Sequence, residues 1–280
     1  MRVAGIDLAG ATPIGGGDIC RAFDARTTSG VRVFAKTLAD APEGFFEAEA
    51  AGLDRLRVDG GPRIPEVVAA GVDGLVLEWI EPGPADAGRA AEFGRALARM
   101  HRAGGETFGV DVDGFVATVP LDNSPTDDWA AFHGERRLRP ALRLAVERHA
   151  IVPDDAAAVS DVVDRLGALA GPRVRPACLH GDLWAGNLVW SADESVWLVD
   201  AAAAHFGNRE TDLAMLMLFG APYLEEIFAG YDEVYARDTG WAGRVALHQV
   251  HPLLIHASLF GGGYGARAGK AARSALAGAA

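Results

Sequence analysis

CLHGDLWAGNLVWSADESVWLVDAA, residues 178–202, is the most informative segment of this 280-residue chain. It contains two short apolar runs, LVW and VWLV, whose β-branched and aromatic residues are typical of strands. The linking segment SADES has the composition of a turn, so the two runs are predicted to form a β-hairpin. Four polar residues stand at the ends of this hairpin: His180, Asp182, Asn187 and Asp200.

The spacing of these polar residues is typical of kinase-type phosphotransferases. Asn187 follows Asp182 by five residues, and Asp200 comes thirteen residues after Asn187, at the end of a strand. Amide and carboxylate oxygens suit Mg²⁺, and a carboxylate can take the proton of an acceptor hydroxyl. The pattern therefore predicts Asp182 as the catalytic base and Asn187 and Asp200 as Mg²⁺ ligands. The alternative, a hairpin with a few solvated polar residues, is disfavoured by the complete spacing.

Composition excludes several classes of protein. Half of the residues are hydrophobic and the formal net charge is -12, with no basic block of the kind that nucleic-acid binding needs. The sequence has no eighteen-residue apolar run and no charged-then-apolar leader. Cys20 and Cys178 give neither a zinc spacing nor a disulfide framework. We therefore expect a cytoplasmic protein with no nucleic acid or membrane as partner. We also take it to be a monomer, although composition does not bear on this.

Residues 3–38 are predicted to form a three-stranded antiparallel meander. Gly15, Gly16 and Gly17 lie between its first two strands, where exposed N–H groups could contact phosphates, although a flexible turn would also explain them. Lys36 lies on the third strand within VFAK, which is similar to the V-A-I-K pattern of kinases. We predict that Lys36 binds the α- and β-phosphates of ATP; the alternative is an ordinary strand lysine.

Residues 43–57 are predicted to form a helix, because apolar residues recur at steps of three and four. Glu47 and Glu49 are both candidates to pair with Lys36. Glu49 is favoured because it lies one turn before the core-facing Leu53.

Two further strands are predicted after this helix, of which the second, GLVLEWI, covers residues 74–80. It ends at a Pro- and Gly-rich break, EPGPADAG, which we interpret as the hinge between two lobes. Backbone groups near Glu78 and Ile80 are predicted to bind adenine. The boundary divides the chain into an ATP-binding lobe, 1–80, and a catalytic and substrate lobe, 81–280.

Beyond the hinge the pattern is mainly helical. His101 is predicted to be a core or capping histidine near the end of a helix. Residues 105–129 are predicted to form a long loop that helps to wall the acceptor site. The alanine-rich tail from Ala271 is expected to be frayed. The predicted fold class is α+β: a protein-kinase-like two-lobe fold, with an antiparallel five-stranded sheet and one helix in the first lobe and a mainly helical second lobe.

The chain resembles the fructosamine kinase (ketosamine 3-kinase) family, within the aminoglycoside-phosphotransferase-like kinases. The resemblance runs nearly end to end. It is carried by GGGDI (15–19), VFAK (33–36), FFEAEAAGL (45–53), FGVDVDGFVATVP (108–120), LHGDLWAGN, NRETDLAM (208–215) and HASLFGGGY (256–264). It implies ATP-dependent phosphorylation of the 3-hydroxyl of a ketosamine, a sugar joined to an amine or a protein lysine, in deglycation repair.

Carried onto this sequence, the resemblance implies that Trp184 stacks on the sugar of the substrate. We also assign His180, two residues before Asp182, to the substrate site. It supports the roles given above to Asp182, the Mg²⁺ ligands and the ATP-binding residues. The chain departs from the family pattern after Asp200, where Ala201-Ala202 replaces the usual Pro-Ala.

Two other functions remain open from the sequence. The first is a kinase for an aminoglycoside, choline or amino-alcohol acceptor, and the net acidity suits such cations as well as it suits a ketosamine. The second is a catalytically silent nucleotide-binding protein, which is disfavoured because every polar group that the transfer needs is present. HGDLW and LFGGGY favour the ketosamine kinase.

Overall fold

The N-terminal part of the computed structural model, which describes residues 1–15 and 19–278, is an antiparallel sheet. Six strands of the described chain pair in the order β1-β2-β3-β4-β6-β5. They are β1 (Arg2–Val3), β2 (Ile6–Ile14), β3 (Arg21–Thr27), β4 (Arg32–Thr37), β5 (Val67–Gly71) and β6 (Gly74–Glu78). Helix α1 (Phe45–Arg55) connects β4 to β5. The sequence predicted five strands; β1 was missed because two residues are too few to show a periodic pattern.

The remainder of the described chain is mainly helical. Its helices are α2 (Ala87–Arg102), α3 (Trp129–His133), α4 (Arg139–Glu147), α5 (Pro153–Asp164), α6 (Leu166–Leu169), α7 (Glu210–Phe219), α8 (Leu224–Tyr235), α9 (Trp241–Phe260) and α10 (Tyr264–Ala277). A π-helical turn, Gly134–Leu138, joins α3 to α4. None of the helices in the described part is both long and apolar enough to span a bilayer.

Three short antiparallel strand pairs lie among these helices. They are β7 (Gly114–Val116) with β8 (Val119–Leu121), β9 (Ala177–Leu179) with β12 (His205–Gly207), and β10 (Leu188–Trp190) with β11 (Val196–Leu198). The last pair is the predicted hairpin, which is confirmed, with Leu188 opposite Leu198 and Trp190 opposite Val196.

Two expectations for the helical part are wrong in detail. The segment 105–129 contains the hairpin β7–β8, whose three-residue strands leave little periodicity to detect. The tail is not frayed from Ala271, because α10 continues to Ala277. Ala272 is fully buried and Ala275 is 5% exposed, so the alanine-rich sequence supplies a close-packed helix face as well as high helix propensity.

One large hydrophobic cluster connects the sheet side of the molecule to the helices. It includes Phe46 and Leu53 of α1, Leu97 of α2, Leu198 of β11 and Leu213 of α7. Each of these side chains is fully buried. Helix α1 therefore packs against the helical part as well as the sheet, and this fixes its position relative to the β10–β11 hairpin.

Helices α2 and α8 cross at very short range because glycines stand at the contact. A Cβ atom built on Gly94 would lie 2.0 Å from the carbonyl oxygen of Ile227, and one on Gly230 would lie 2.0 Å from that of Ala91. Real Cβ atoms do not approach backbone oxygen so closely, so any larger side chain must push the helices apart.

We expect Gly94→Ala to lower the free energy of unfolding by about 1–3 kcal/mol, because overpacking forces the α2–α8 crossing open. Gly243→Ala is the matched control: it changes the same residue type inside α9, where a new Cβ meets nothing within 4 Å. The control should be neutral or stabilising by up to about 1 kcal/mol. Urea unfolding of the three proteins tests this, and equal effects of the two substitutions would contradict the contact argument.

A buried ion pair joins α7 to α9. Arg244 Nε and Nη2 donate to the Glu210 carboxylate at 2.8 and 2.5 Å, and the Glu210 side chain is 2% exposed. Burial alone would raise the pKa of Glu210, but the hydrogen bonds from Arg244, with His248 Nε2 only 3.3 Å away, outweigh burial and lower it to about 2. Because the folded pKa is below the ordinary value of 4.5, this carboxylate stabilises the fold above pH 4.5 and loses that effect between pH 4.5 and 2.

Glu210→Gln should therefore lower the free energy of unfolding at pH 7 by about 3 kcal/mol, and the deficit should shrink as the pH falls from 5 to 3. Urea unfolding at several pH values measures it. Glu106→Gln, at an exposed position, serves as control and should show almost no deficit at any pH. A deficit for Glu210→Gln that is independent of pH would show that charge pairing is not its cause.

Candidate functional site

The two strand pairs β9–β12 and β10–β11 bring the predicted catalytic residues to one place. Asp182 follows β9, Asn187 ends a short 3₁₀ turn, Ala185–Asn187, and Asp200 follows β11. Asn187 Nδ2 donates to the backbone oxygen of Asp182 at 2.8 Å, and the backbone N–H of Val199 donates to the backbone oxygen of Asn187 at 3.2 Å. These bonds hold the ends of the hairpin beside the loop that carries Asp182, and they leave Asn187 Oδ1 outside them.

Gly181 sets the direction in which Asp182 points. Its φ is +81°, and a Cβ atom at this position would lie 2.2 Å from the carbonyl oxygen of Ala203. Both the left-handed backbone and the close contact exclude a larger residue. This accounts for the glycine between His180 and Asp182.

Lys36 forms a buried ion-pair cluster with two carboxylates. Its Nζ lies 2.5 Å from Glu49 Oε2 and also contacts Asp200 Oδ1. Lys36 comes from β4, Glu49 from α1 and Asp200 from the segment after β11. The structure therefore brings Glu49 to Lys36, as the sequence reasoning favoured; Glu47 forms no ion pair among the described residues.

Charge pairing shifts the pKa of each member of the cluster. Burial would lower the pKa of Lys36, but attraction to Glu49 and Asp200 outweighs burial and raises it. Burial raises the pKa of Glu49 to about 7, with Lys36 opposing. Burial would also raise the pKa of Asp200, yet Lys36 outweighs it and lowers the value. Lys36 is thus a fixed positive charge, and Asp200 is the carboxylate that stays ionised beside it.

Asp200 is exposed enough to bind something other than Lys36. Its side chain is 53% exposed, and its backbone is left-handed with φ 61°, a conformation that aspartate tolerates better than most residues. Asp182 is partly buried; burial, with Asp200 adding, raises its pKa despite the opposing effect of His180 and His256. A raised pKa makes Asp182 a better proton acceptor.

The loop that carries Asp182 is anchored from behind by Asp212 of α7. The Asp212 carboxylate accepts hydrogen bonds from the backbone N–H groups of His180 and Gly181 at 2.8 and 2.9 Å. His101 Nε2 lies 3.2 Å from the same carboxylate, and His101 Nδ1 lies 2.8 Å from the hydroxyl of Tyr231. His101 is buried, as predicted.

Asp212 was not recognised from the sequence as the anchor of this loop. The signal was an acidic residue within the apolar run TDLAMLML, because a buried carboxylate needs partners.

A cavity of about 600 Å³ lies between the sheet and the helices. Several predicted site residues line it: Gly15, Lys36, Glu49, Asp182, Trp184, Asn187 and Asp200. Phe115 to Ala117 of the β7–β8 hairpin also line it, so part of the segment predicted to wall the acceptor site does reach the cavity. Cys20 is a partly buried thiol in the wall, and burial raises its pKa.

Other predicted site residues lie elsewhere. His180 is fully buried, and its Nε2 lies 2.8 Å from the carbonyl oxygen of Val199, so it does not reach the cavity. Glu78 and Ile80 lie at the end of β6 outside the cavity wall, and the N–H of Glu78 already donates to Glu66 O at 2.9 Å. Gly16 and Gly17 lie outside the described residues.

One part of the cavity wall was not predicted in detail. It is formed by four ring-bearing side chains from three helices: Phe219 of α7, His256 and Phe260 of α9, and Tyr264 of α10. These residues are far apart in sequence from the catalytic loop. The HASLFGGGY motif pointed to three of them, but only the packing of the helices shows that they face Asp182.

Comparison with known proteins agrees with this geometry. The family model described as fructosamine kinase matches residues 2–277. The chain belongs to the fructosamine kinase family. Within this family it is 36% identical over 265 residues to a protein of Thermus thermophilus named probable ketoamine kinase, with 94% of each chain covered. It is 31% identical over 268 residues to the chloroplastic protein-ribulosamine 3-kinase of Arabidopsis thaliana, covering 90% of this chain and 78% of that one.

Solved structures extend the likeness to the whole fold. A fructosamine-3-kinase homologue from Thermobifida fusca superposes on this protein with a TM-score of 0.91 at 41% sequence identity. The superposition covers 98% of this chain and 96% of the Thermobifida chain. The aminoglycoside phosphotransferase APH(4)-Ia superposes with a TM-score of 0.62 at 17% identity, covering 98% and 95%. The second likeness concerns the fold alone, and together they identify the kinase-like two-lobe fold.

Asp212→Asn should loosen the catalytic loop of this fructosamine kinase family member. The NH₂ group of asparagine can only donate, so it would face a backbone N–H that in the native protein donates to a carboxylate oxygen. Because a buried hydrogen bond is then lost, we expect the free energy of unfolding to fall by about 3 kcal/mol. Urea unfolding measures the loss, and hydrogen exchange should show faster exchange of the Gly181 amide. Asp161→Asn, on the exposed face of α5, is the control. Unchanged exchange at Gly181 would contradict the anchoring role.

Proposed function

We propose that the protein transfers the γ-phosphoryl group of ATP to the 3-hydroxyl of a ketosamine, as a step in the repair of glycated amines. One observation carries this proposal: Lys36, Asn187, Asp200 and Asp182 line a single cavity together with several aromatic side chains. Phosphoryl transfer depends on positioning and on neutralising phosphate charge, and these residue types supply both.

The ATP phosphates would bind at the Lys36 side of the cavity. Glu49 holds the Lys36 ammonium in place, and Gly15 lies in the same wall. We propose that Gly16 and Gly17 continue this phosphate-binding loop. Adenine would bind at the end of β6, using backbone groups of Glu78 and Ile80 other than the N–H of Glu78, because that group is already bonded to Glu66.

The residues present fit Mg²⁺. Mg²⁺ prefers oxygen ligands and is commonly held by one or two carboxylates together with substrate phosphates and water. Among the described residues no hydrogen bond uses Asn187 Oδ1, and the Asp200 carboxylate is ionised and half exposed. When bound, the ion would neutralise charge that develops on the phosphate oxygens.

Asp182 would act on the acceptor hydroxyl. Its carboxylate receives the proton while the hydroxyl oxygen attacks the γ-phosphorus, and the bond to the leaving ADP oxygen breaks. Asn187 Nδ2 lies 3.4 Å from Asp182 Oδ2 and helps to orient the carboxylate. His180, which is buried, would position the loop rather than contact the substrate, since the N–H of Asp182 lies 3.3 Å from His180 Nδ1.

The substrate class follows from the aromatic wall and the family. Trp184 is 40% exposed in the cavity wall, where its ring can stack on the C–H face of a sugar. The relatives named ketoamine kinase and protein-ribulosamine 3-kinase favour a ketosamine over an aminoglycoside or choline. We further propose that residues 1–80 and 81–280 are the ATP and substrate lobes, and that the protein acts as a monomer in the cytoplasm, where ATP is supplied.

Turnover of ATP with Mg²⁺ should occur with fructoselysine or ribuloselysine and not with kanamycin or choline. Asp182→Asn should lower kcat by about 100-fold or more and leave the affinity for ATP nearly unchanged, because the lost group acts on the hydroxyl. Coupled ADP release and calorimetric ATP binding measure the two effects.

Asp161→Asn, far from the cavity, is the control and should keep full turnover. Turnover only on kanamycin or choline would move the substrate to the alternative class. ATP binding without turnover on any acceptor would favour the silent nucleotide-binding protein.

A further inference from the structure

His256 lies in the cavity wall on α9 and is not used by the phosphoryl transfer proposed above. Its side chain is partly exposed and lines the main cavity. It also lines a small adjoining cavity of about 20 Å³, to which Asp182 contributes as well. A side chain in this position can contact the acceptor substrate next to the reacting hydroxyl.

The tautomer of His256 is fixed by its own helix. His256 Nδ1 lies 2.8 Å from the carbonyl oxygen of Pro252, and a carbonyl can only accept, so Nδ1 carries the proton. In the neutral ring Nε2 is then a hydrogen-bond acceptor. Nε2 has no partner within the described chain and is not among its buried unpaired atoms, so it is open to the cavity.

Three aromatic rings surround the imidazole. The ring centroids of Phe219, Tyr264 and Phe260 lie 4.6, 5.3 and 5.5 Å from that of His256. The turn between α9 and α10 makes this possible: Gly261, Gly262 and Gly263 all have positive φ, which brings Tyr264 back beside α9. The faces of such rings attract cations.

The charges of the cavity favour a cationic acceptor. In the wall formed by described residues, Lys36 is the one lysine or arginine, against the three carboxylates of Glu49, Asp182 and Asp200. Lys36 is paired with Glu49 and Asp200, and among the described residues no lysine or arginine forms an ion pair with the Asp182 carboxylate. An acceptor nitrogen, three aromatic rings and a carboxylate that does not pair with Lys36 together suit a positively charged hydrogen-bond donor.

We propose that Nε2 of His256, with the rings of Phe219, Phe260 and Tyr264, binds the protonated amine of the acceptor. The inference rests on the proposed function and deepens it. In a ketosamine the amine is on the first carbon and the reacting hydroxyl on the third, so an amine held at His256 keeps that hydroxyl on the Asp182 side of the cavity. The enzyme thereby recognises a sugar that is linked to an amine and discriminates against the free sugar.

The first test uses the unmodified protein and two acceptors that differ in one atom. These are fructoselysine and an analogue in which oxygen replaces the linking nitrogen. We expect kcat/KM to be about 10- to 100-fold lower for the ether, the range for losing a hydrogen bond to a charged group. Calorimetry should show the same preference in binding, and this readout does not depend on turnover. Equal kcat/KM and equal affinity would overturn the inference.

The second test assigns the preference to His256. His256→Phe removes the acceptor nitrogen but keeps a ring, and should reduce the preference to less than about threefold, mainly by raising KM for the amine. His256→Gln offers an amide oxygen and should retain most of the preference. Thermal melting verifies that both variants fold.

A fall in kcat for His256→Phe that is equal for amine and ether, at unchanged KM, would overturn the proposal, because His256 would then act on the hydroxyl. If neither acceptor is turned over but the amine still binds more tightly through His256, the proposed reaction fails and the amine site stands.

Discussion

The structure depends most on one buried lysine held between two carboxylates. An isolated ammonium in the interior would be costly, and Lys36 is tolerated because Glu49 and Asp200 compensate it. The three residues come from a strand, a helix and the segment after the catalytic hairpin, so the pairing requires all three elements to be in place. Asp200 has the most exposed side chain of the three, which agrees with its proposed role as a ligand of a second cation.

A second constraint acts on the opposite side of the catalytic loop. Asp212 uses its carboxylate for two backbone N–H groups and for His101, and His101 in turn contacts Tyr231 on α8. A polar network at such depth is stabilising only when each member has its partner. The loop that carries Asp182 is therefore rigid at its base while its side chain meets the cavity. Rigidity of this kind is what positioning chemistry requires.

The sequence predicted the elements whose signals are local. These signals are the spacing of polar residues and the alternation of apolar ones within a few consecutive residues. They were sufficient to recognise the HGDLWAGN run, the following hairpin, the Lys36 strand and the α1 helix. The predictions that failed concerned very short strands or contacts between residues that are far apart in sequence. The strand β1 has two residues and β7 three, too few for a period. His180 was placed with the substrate because neighbours in sequence suggest a common role, whereas its ring is directed into the core. The aromatic wall depends on how α7, α9 and α10 pack, and no local pattern specifies that.

The division of labour along the cavity has a consequence for how such an enzyme can change. The groups proposed to handle phosphate come from β4, α1 and the loops that carry Asp182 and Asp200, whereas the proposed acceptor wall includes residues at the joint between α9 and α10. Mutations in that joint can reshape which molecules are admitted without disturbing the groups that move the phosphoryl group. Acceptor specificity can therefore evolve separately from phosphoryl transfer. A mutant library confined to residues 255–264 would vary the acceptor wall and leave the residues proposed for the transfer unchanged.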